Sequence, residues 1–391
     1  MIPLYRKIVL VVCFVLLVWG SWLLSIKKQS AETNSASLIS DTLAPDNYKG
    51  FKRVTGARVF KFPDDHGSHD QYQTEWWYFT GNVKTLEGRK FGYELTFFRF
   101  ALATGDDAVE KLSAWHSRQL YMAHFALTDV MAAKFYADER FSRAALGLAG
   151  AQQDHLEVWL YDWFAKSKSE AGFPMHLHAV NDLMSIDLTL DEIKPFVLQG
   201  KKGLSQKSSA VGNASYYYSN TRMATRGTLS IAQQPFPVAG ESWMDHEWST
   251  SSLSKAQLGW DWFALQLSDH SELMFYQFRR KDGKPDSNSS GALFTAGGRK
   301  IPLPFNAVQI RVDKHWKSPH SAVNYPAQWH LSVPGQQLEL DIMPLLADQE
   351  LNLRYRYWEG AVKVSGLKQG QAVSGQGYVE LTGYATGIQR D

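Results

Sequence analysis

Cysteine is nearly absent: the 391-residue chain holds one, Cys13, inside an apolar N-terminal run. Everything after it has to stay folded without a disulfide, through core size alone, which a chain of this length can supply. A single thiol in that position also gives cysteine hydrolysis no support. The same holds for serine hydrolysis, since no G-x-S-x-G elbow occurs. Excess charge of one sign is missing too, with 41 Lys+Arg against 39 Asp+Glu, so no nucleic-acid partner is indicated. Long helical patterns are scarce; "SRAALGLAGAQQ" (142–153) is the best helix or loop candidate, and it is short.

What the chain has instead is aromatic side chains: 14 Trp, 17 Tyr and 21 Phe. They fall in short runs of strand character, among them "TEWWYFTGNV" (74–83), "KFGYELTFFRF" (90–100) and "YMAHFALTDV" (121–130). Turn residues bound each run, and the texture continues to "YVELTGY" near the C-terminus, so the chain reads as all-β and antiparallel. Two segments echo each other. "EWWYFTGNV" followed by "ELTFFRF" resembles "GWDWFALQL" followed by "LMFYQFRR", each pair ending in Phe–Arg (Phe98–Arg99, Phe278–Arg279). Repetition of a whole hairpin indicates a duplicated β domain. Two prolines and a glycine around "QQPFPVAGES" set the expected boundary, giving domains 51–238 and 239–391.

At the other end, Arg6 and Lys7 precede an uncharged run from Ile8 to Ile26, closed by Lys27–Lys28. That layout is a signal peptide or signal-anchor helix over 1–28, with the lysines favouring an uncleaved anchor. A polar linker follows over 29–50. The expectation is an exported, periplasmic chain, held at the inner membrane or released after cleavage.

Protonatable groups gather among the largest aromatics. In "WMDHEW" (243–248), strand alternation puts Trp243, Asp245 and Glu247 on one face and Met244, His246 and Trp248 on the other. Unpaired burial of Asp245 and Glu247 is expensive, so solvent or a basic partner is expected, with Arg222 or Arg226 available. In "GWDWF", Trp260 and Trp262 share a face and Asp261 opposes them; desolvation there would raise the Asp261 pKa and make it a proton donor. Glu75, before Trp76–Trp77 and Tyr78, is the corresponding acid of the first repeat and reads as a paired structural carboxylate. "DDHGSHD" brings His66 and His69 near Asp64, Asp65 and Asp70, but H-x-x-H without a helix to align it reads as a turn. No metal and no cofactor are expected.

"DHGSHDQYQTEWWYFTGNV" (65–83), "YYYSNTRMATRGTL" (216–229), "WMDHEW", "GWDWFALQL" (259–267) and "GQGYVELTGY" (375–384) occur in this order. Together they resemble the AttH-like family, related to the carotenoid 1,2-hydratase (CrtC) family. That resemblance implies two tandem lipocalin-like antiparallel β-barrels, an apolar ligand and, through relatives associated with them, ABC-type export components. Two functions follow as expectations. The first is a membrane-proximal protein binding a lipid or isoprenoid through Trp76, Trp77, Tyr78, Trp243, Trp248, Trp260 and Trp262. The second is a cofactor-independent hydratase adding water to an isoprenoid double bond, with His246 and Asp261 as catalytic groups. Asp245, Glu247, Glu75 and Arg222 are expected to form a polar network; a purely structural or adhesive role is the third alternative.

Overall fold

The computed structural model describes residues 50–102, 117–169, 171–250, 253–254 and 256–385. The expected membrane run 1–28, with Cys13, and the linker up to residue 49 lie outside them. No helix among the described residues is long and apolar enough to cross a membrane.

Two antiparallel sheets make up the chain. The first has thirteen strands: β1 (Thr74–Lys84), β2 (Lys90–Ala101), β3 (Gln119–Asp129), β4 (Lys134–Arg143), β5 (Ala149–Ala151), β6 (Glu157–Leu160), β7 (Trp163–Ser167), β8 (Met175–Val180), β9 (Met184–Glu192), β10 (Val197–Leu198), β11 (Leu204–Gln206), β12 (Ala214–Ile231) and β13 (Gln234–Ser249). The second has ten: β14 (Gln257–Leu267), β15 (Glu272–Arg280), β16 (Ser290–Phe294), β17 (Lys300–Pro304), β18 (Gln309–Lys317), β19 (Asn324–Val333), β20 (Leu338–Pro344), β21 (Glu350–Leu351), β22 (Tyr357–Lys368) and β23 (Gln371–Leu381). In both, the first strand pairs with the last, β1 with β13 and β14 with β23. The open edges then fall between strands consecutive in the chain, β4 and β5 in one sheet and β17 and β18 in the other. Each sheet therefore curls into a nearly closed barrel, and the shared strand order is the duplication visible in the sequence.

Each barrel is filled by its own side chains. Trp77, Phe79, Leu95, Phe97, Phe125, Trp163 and Trp248 pack inside the first, and Phe263, Leu265, Trp329, Leu340 and Trp358 inside the second. The outer faces of β1, β2, β12 and β13 then pack on those of β14, β15, β22 and β23 through Tyr78, Tyr217, Trp243, Trp262, Tyr276, Phe278 and Tyr378. β1 is consequently buried on both faces for nearly its whole length, which is why four consecutive aromatics, Trp76 to Phe79, replace the apolar–polar alternation of a half-exposed strand. Gly92 marks a close approach of the two barrels, since a Cβ there would stand 2.6 Å from both the Ala361 Cβ and the Tyr378 hydroxyl.

Two expectations need correction. β13 runs through the expected boundary at 238 and stays in the first sheet, so the change of sheet falls between Ser249 and Gln257. Pro235 and Pro237 do not break the strand because Gln234–Val238 is paired only with β12, beyond the reach of β1. A proline on a strand with one open side removes no ladder bond. Residues 142–153 form no helix; they are the end of β4, a turn and β5.

Candidate functional site

Alternation along β13 divides its cluster between two environments. Met244 and Trp248 point into the first barrel with His246, whereas Trp243, Asp245 and Glu247 face the second barrel. Both carboxylates are buried rather than solvated. Neither meets Arg222 or Arg226. A bulge in β12 between Asn220 and Met223 turns Arg222 onto Glu272, 2.7 Å from Nε, and Glu241, 2.6 Å from Nη1. Arg226 pairs with Asp191 at the surface. The cation that meets Glu247 is Lys207, whose Nζ lies 2.6 Å from Oε1 and 4.9 Å from the Tyr276 ring centre.

A cavity of about 110 Å³ lies between the barrels and inside neither. Its walls are mostly aromatic: Trp76 and Tyr78 from β1, Phe98 from β2, Tyr217 from β12, Trp260 and Trp262 from β14, Tyr276 and Phe278 from β15, and Tyr357 from β22. Four carboxyl groups reach it, Asp245, Glu247, Glu359 and Glu380, and Lys207 is the only Lys or Arg among its described lining residues.

The low-dielectric surroundings push these acids towards neutrality. Burial raises Asp245 to about 7, although the Tyr217 hydroxyl (2.6 Å), the Trp243 indole (2.8 Å) and Ser219 all donate to its carboxylate and oppose the shift. Burial likewise brings Glu380 to about 7 against the Trp260 indole, which donates to Oε2 at 3.0 Å; the charges of Asp245 and Glu247 add to the rise. Glu359, bonded by the Tyr78 hydroxyl, is held well above the usual carboxylate range by burial and by the charges of Glu94 and Glu380. Glu94 stands behind them without a basic partner among the described residues, raised to about 8 chiefly by burial. Acids so shifted exchange protons at neutral pH, which an ordinary carboxylate does not.

His246 and Asp261 do not share this cavity, or each other's surroundings. Inside the first barrel His246 Nε2 lies 2.9 Å from Glu75 Oε1, and Nδ1 lies 3.0 Å from the Tyr218 hydroxyl. Glu75 Oε1 also meets His69 Nδ1 at 2.8 Å, and Oε2 accepts from the His69 backbone N–H and from Arg99 Nε, both at 2.9 Å. Asp261 sits on the inward face of β14, taking Arg279 Nε at 2.9 Å and the Tyr384 hydroxyl at 3.0 Å. Burial raises its pKa, yet the adjacent guanidinium holds it as an ion pair. The two Phe–Arg dipeptides of the repeat thus have one physical use: each arginine neutralises an acid on the preceding strand.

Of the aromatics singled out in the sequence, Trp76, Tyr78, Trp260 and Trp262 line the cavity. Trp243 packs behind it and holds Asp245, while Trp77 and Trp248 belong to the interior of the first barrel. Glu359, Glu380 and Lys207 are additions that only the structure makes. "YWEGAV" and "YVELTGY" carried the same signal as "GWDWF", an acid inside an apolar strand. Which face of such a strand lies outside the barrel is set by the partner barrel, and alternation alone does not reveal it.

Fold and site together define a two-barrel protein whose titratable cavity lies at the joint between lipocalin-like halves. Its sequence matches the AttH-like family model over residues 53–384, and the chain belongs to that family. A solved structure of a Nitrosomonas europaea protein described as an AttH is 32% identical, covering 85% of this chain and 99% of that one with a TM-score of 0.76. Kievitone hydratase from Nectria haematococca shares the fold at 16% identity, covering 85% and 95% of the two chains, TM-score 0.63. So does CghA solved with Sch210972, at 12% identity, 89% and 98% coverage and TM-score 0.50. No curated protein matches the sequence.

Proposed function

We propose that the inter-barrel cavity is the active site of a cofactor-independent hydratase acting on the unsaturated end of an apolar, isoprenoid-type molecule. The observation that carries this reading is the pair Asp245 and Glu380, both brought to about 7 within one aromatic-walled cavity. Of the four acids lining the cavity Glu380 alone is half-buried and the other three are buried, and on that ground it is assigned as the proton donor. Glu380 gives its proton to one alkene carbon as the π bond breaks. The positive charge left on the neighbouring carbon faces the rings of Trp76, Trp260 and Trp262, where aromatic quadrupoles stabilise it. Water then forms the C–O bond and passes its surplus proton to ionised Asp245. Return of that proton to Glu380 restores the start, and the net change is addition of one water. Kievitone hydratase shares the fold and, by its name, hydration, which is compatible with this chemistry and does not establish it.

Size narrows the substrate. A cavity of about 150 Å³ holds benzene, so about 110 Å³ takes the terminal unit of a long isoprenoid and leaves the rest outside. The test is incubation with a panel of isoprenoids and prenylated phenols in ¹⁸O-water, followed by mass spectrometry. An ¹⁸O-labelled hydrate from wild type, reduced by about 10²–10⁴ in Glu380→Gln, is expected. Retained binding with no label in any protein would leave the second reading, carriage of an apolar ligand, which rests on the same aromatic walls. Work beside a membrane with an ABC-type exporter belongs to the proposal as well, supported by the apolar run 8–26 and the family resemblance.

A further inference from the structure

We infer that His69, Glu75 and His246 form a divalent transition-metal site, best matched to Zn²⁺, inside the first barrel. The three converge from different parts of the chain, the loop before β1, β1 itself and β13, and their ligand atoms all lie within 4.8 Å of one another. His69 Nδ1 and His246 Nε2 approach the same oxygen, Glu75 Oε1, at 2.8 and 2.9 Å. Those contacts are hydrogen-bond distances; ligands around a tetrahedral ion with bonds of roughly 2.0–2.2 Å stand roughly 3.3–3.6 Å apart, so the three side chains need to spread by only about half an ångström to admit one. A metal would take the place of the protons now held between the two imidazoles and the carboxylate.

The surrounding groups are what distinguish this cluster from an ordinary hydrogen-bond network. A metal-bound histidine donates its other ring nitrogen to a carboxylate, carbonyl or hydroxyl, and a ligating carboxylate is itself hydrogen-bonded. Here His69 Nε2 lies 3.1 Å from Asp65 Oδ1, and His246 Nδ1 lies 3.1 Å from the Asp65 carbonyl and 3.0 Å from the Tyr218 hydroxyl. Glu75 Oε2, the oxygen not shared by the imidazoles, is fixed by the His69 N–H and Arg99. Every ligand is thus oriented from outside, with its coordinating atom turned inward. Charge allows a cation despite Arg99: carboxylates of Asp65, Asp70 and Glu75 face the guanidiniums of Arg58 and Arg99, three against two. Trp248 stacks on the His69 ring at 3.7 Å and closes one side. Two nitrogens and one oxygen suit Zn²⁺, with a fourth position for water.

The site is separate from the catalytic reading of the cavity, although it grips the inward faces of β1 and β13, whose outward faces line that cavity. The experiment is titration of the full-length, chelator-stripped chain with Zn²⁺ by calorimetry, and with Co²⁺ by visible absorbance. One equivalent is expected, with the intense d–d bands of a low-coordinate Co²⁺ and a rise in Tm on Zn²⁺ addition. Asp65→Asn, which changes no ligand atom but weakens the support of the outer nitrogen of His69 and the pair with Arg58, should weaken binding by about 10–100-fold, and His69→Ala should abolish it. His330→Gln, which disrupts the exposed His330–Asp341–Glu339 cluster, should change nothing. His69 lies at the rim, before β1, so its variant remains informative if His246→Ala does not fold. Absence of stoichiometric binding, or binding that survives in His69→Ala, overturns the inference.

Discussion

Glu94 has no cationic partner among the described residues, and its titration should be read most clearly in stability. Its folded pKa of about 8 exceeds its ordinary 4.5, so the native state holds a proton that the unfolded chain releases. Its contribution is therefore fully present below about 4.5 and is lost as pH rises through about 8. Glu94→Gln should leave stability unchanged near pH 4 and raise it by a few kcal/mol, on an order-of-magnitude basis, above pH 8. Urea unfolding across that range measures both ends. In the proposed reaction Asp245 must be ionised and Glu380 protonated, and both titrate near 7. kcat/KM should then trace a narrow bell centred close to neutrality, its two limbs belonging to the pair rather than to either residue. At this scale the sequence was only half legible. The acid-in-apolar-strand signal led to Asp261, which Arg279 neutralises, and passed over Glu380, which no described arginine reaches.

Among the elements, the strands were the most legible part, because aromatic runs bounded by turn residues have few other uses. β1, β2 and β15 begin and end within a residue or so of the runs that announced them. β13 shows the limit. Its alternation was readable, so the split between His246 and the Asp245–Glu247 face was too, but Pro235 and Pro237 masked its start. Their harmlessness depends on β1 ending at the Lys84–Ala239 pair, a fact of pairing rather than of local sequence. Gly92 tests how closely β2 must approach the second barrel. Gly92→Val forces atoms into contacts already at 2.6 Å and should cost about 1–3 kcal/mol of stability while loosening the cavity walls. Ligand affinity should fall with it, whereas Val at Gly88, an exposed turn with open space around it, should cost only the strain of its positive φ and leave affinity unchanged.

For the molecule as a whole, the joint between barrels is the proposed functional surface, and it is held by more than apolar contact. Arg222 links β12 to Glu272 and to the Leu267 carbonyl of the second barrel. Removing it leaves the Glu272 carboxylate with Lys194 as its remaining cation. Arg222→Ala should destabilise the chain by about 3–5 kcal/mol and expose Trp76 and Trp260, giving a red-shifted, acrylamide-quenchable emission. Duplication was visible in the sequence through the repeated hairpin, but the joint was not. An outward residue covered by a second barrel and an inward one look alike on a strand buried from both sides.

Pairing of first strand with last also sets an order of events during synthesis. β1, ending at Lys84, is made about 165 residues before β13 completes its pairing at Ser249, and β14 waits in the same way for β23. Contacts so distant in sequence fold slowly and leave sheet edges open meanwhile. β23 is the last strand of the described residues, and it brings Glu380 with it. A chain that stops short of Leu381 therefore lacks both the seal of its second barrel and the proposed proton donor, so the closure of that barrel and the completion of the proposed site are one event in synthesis.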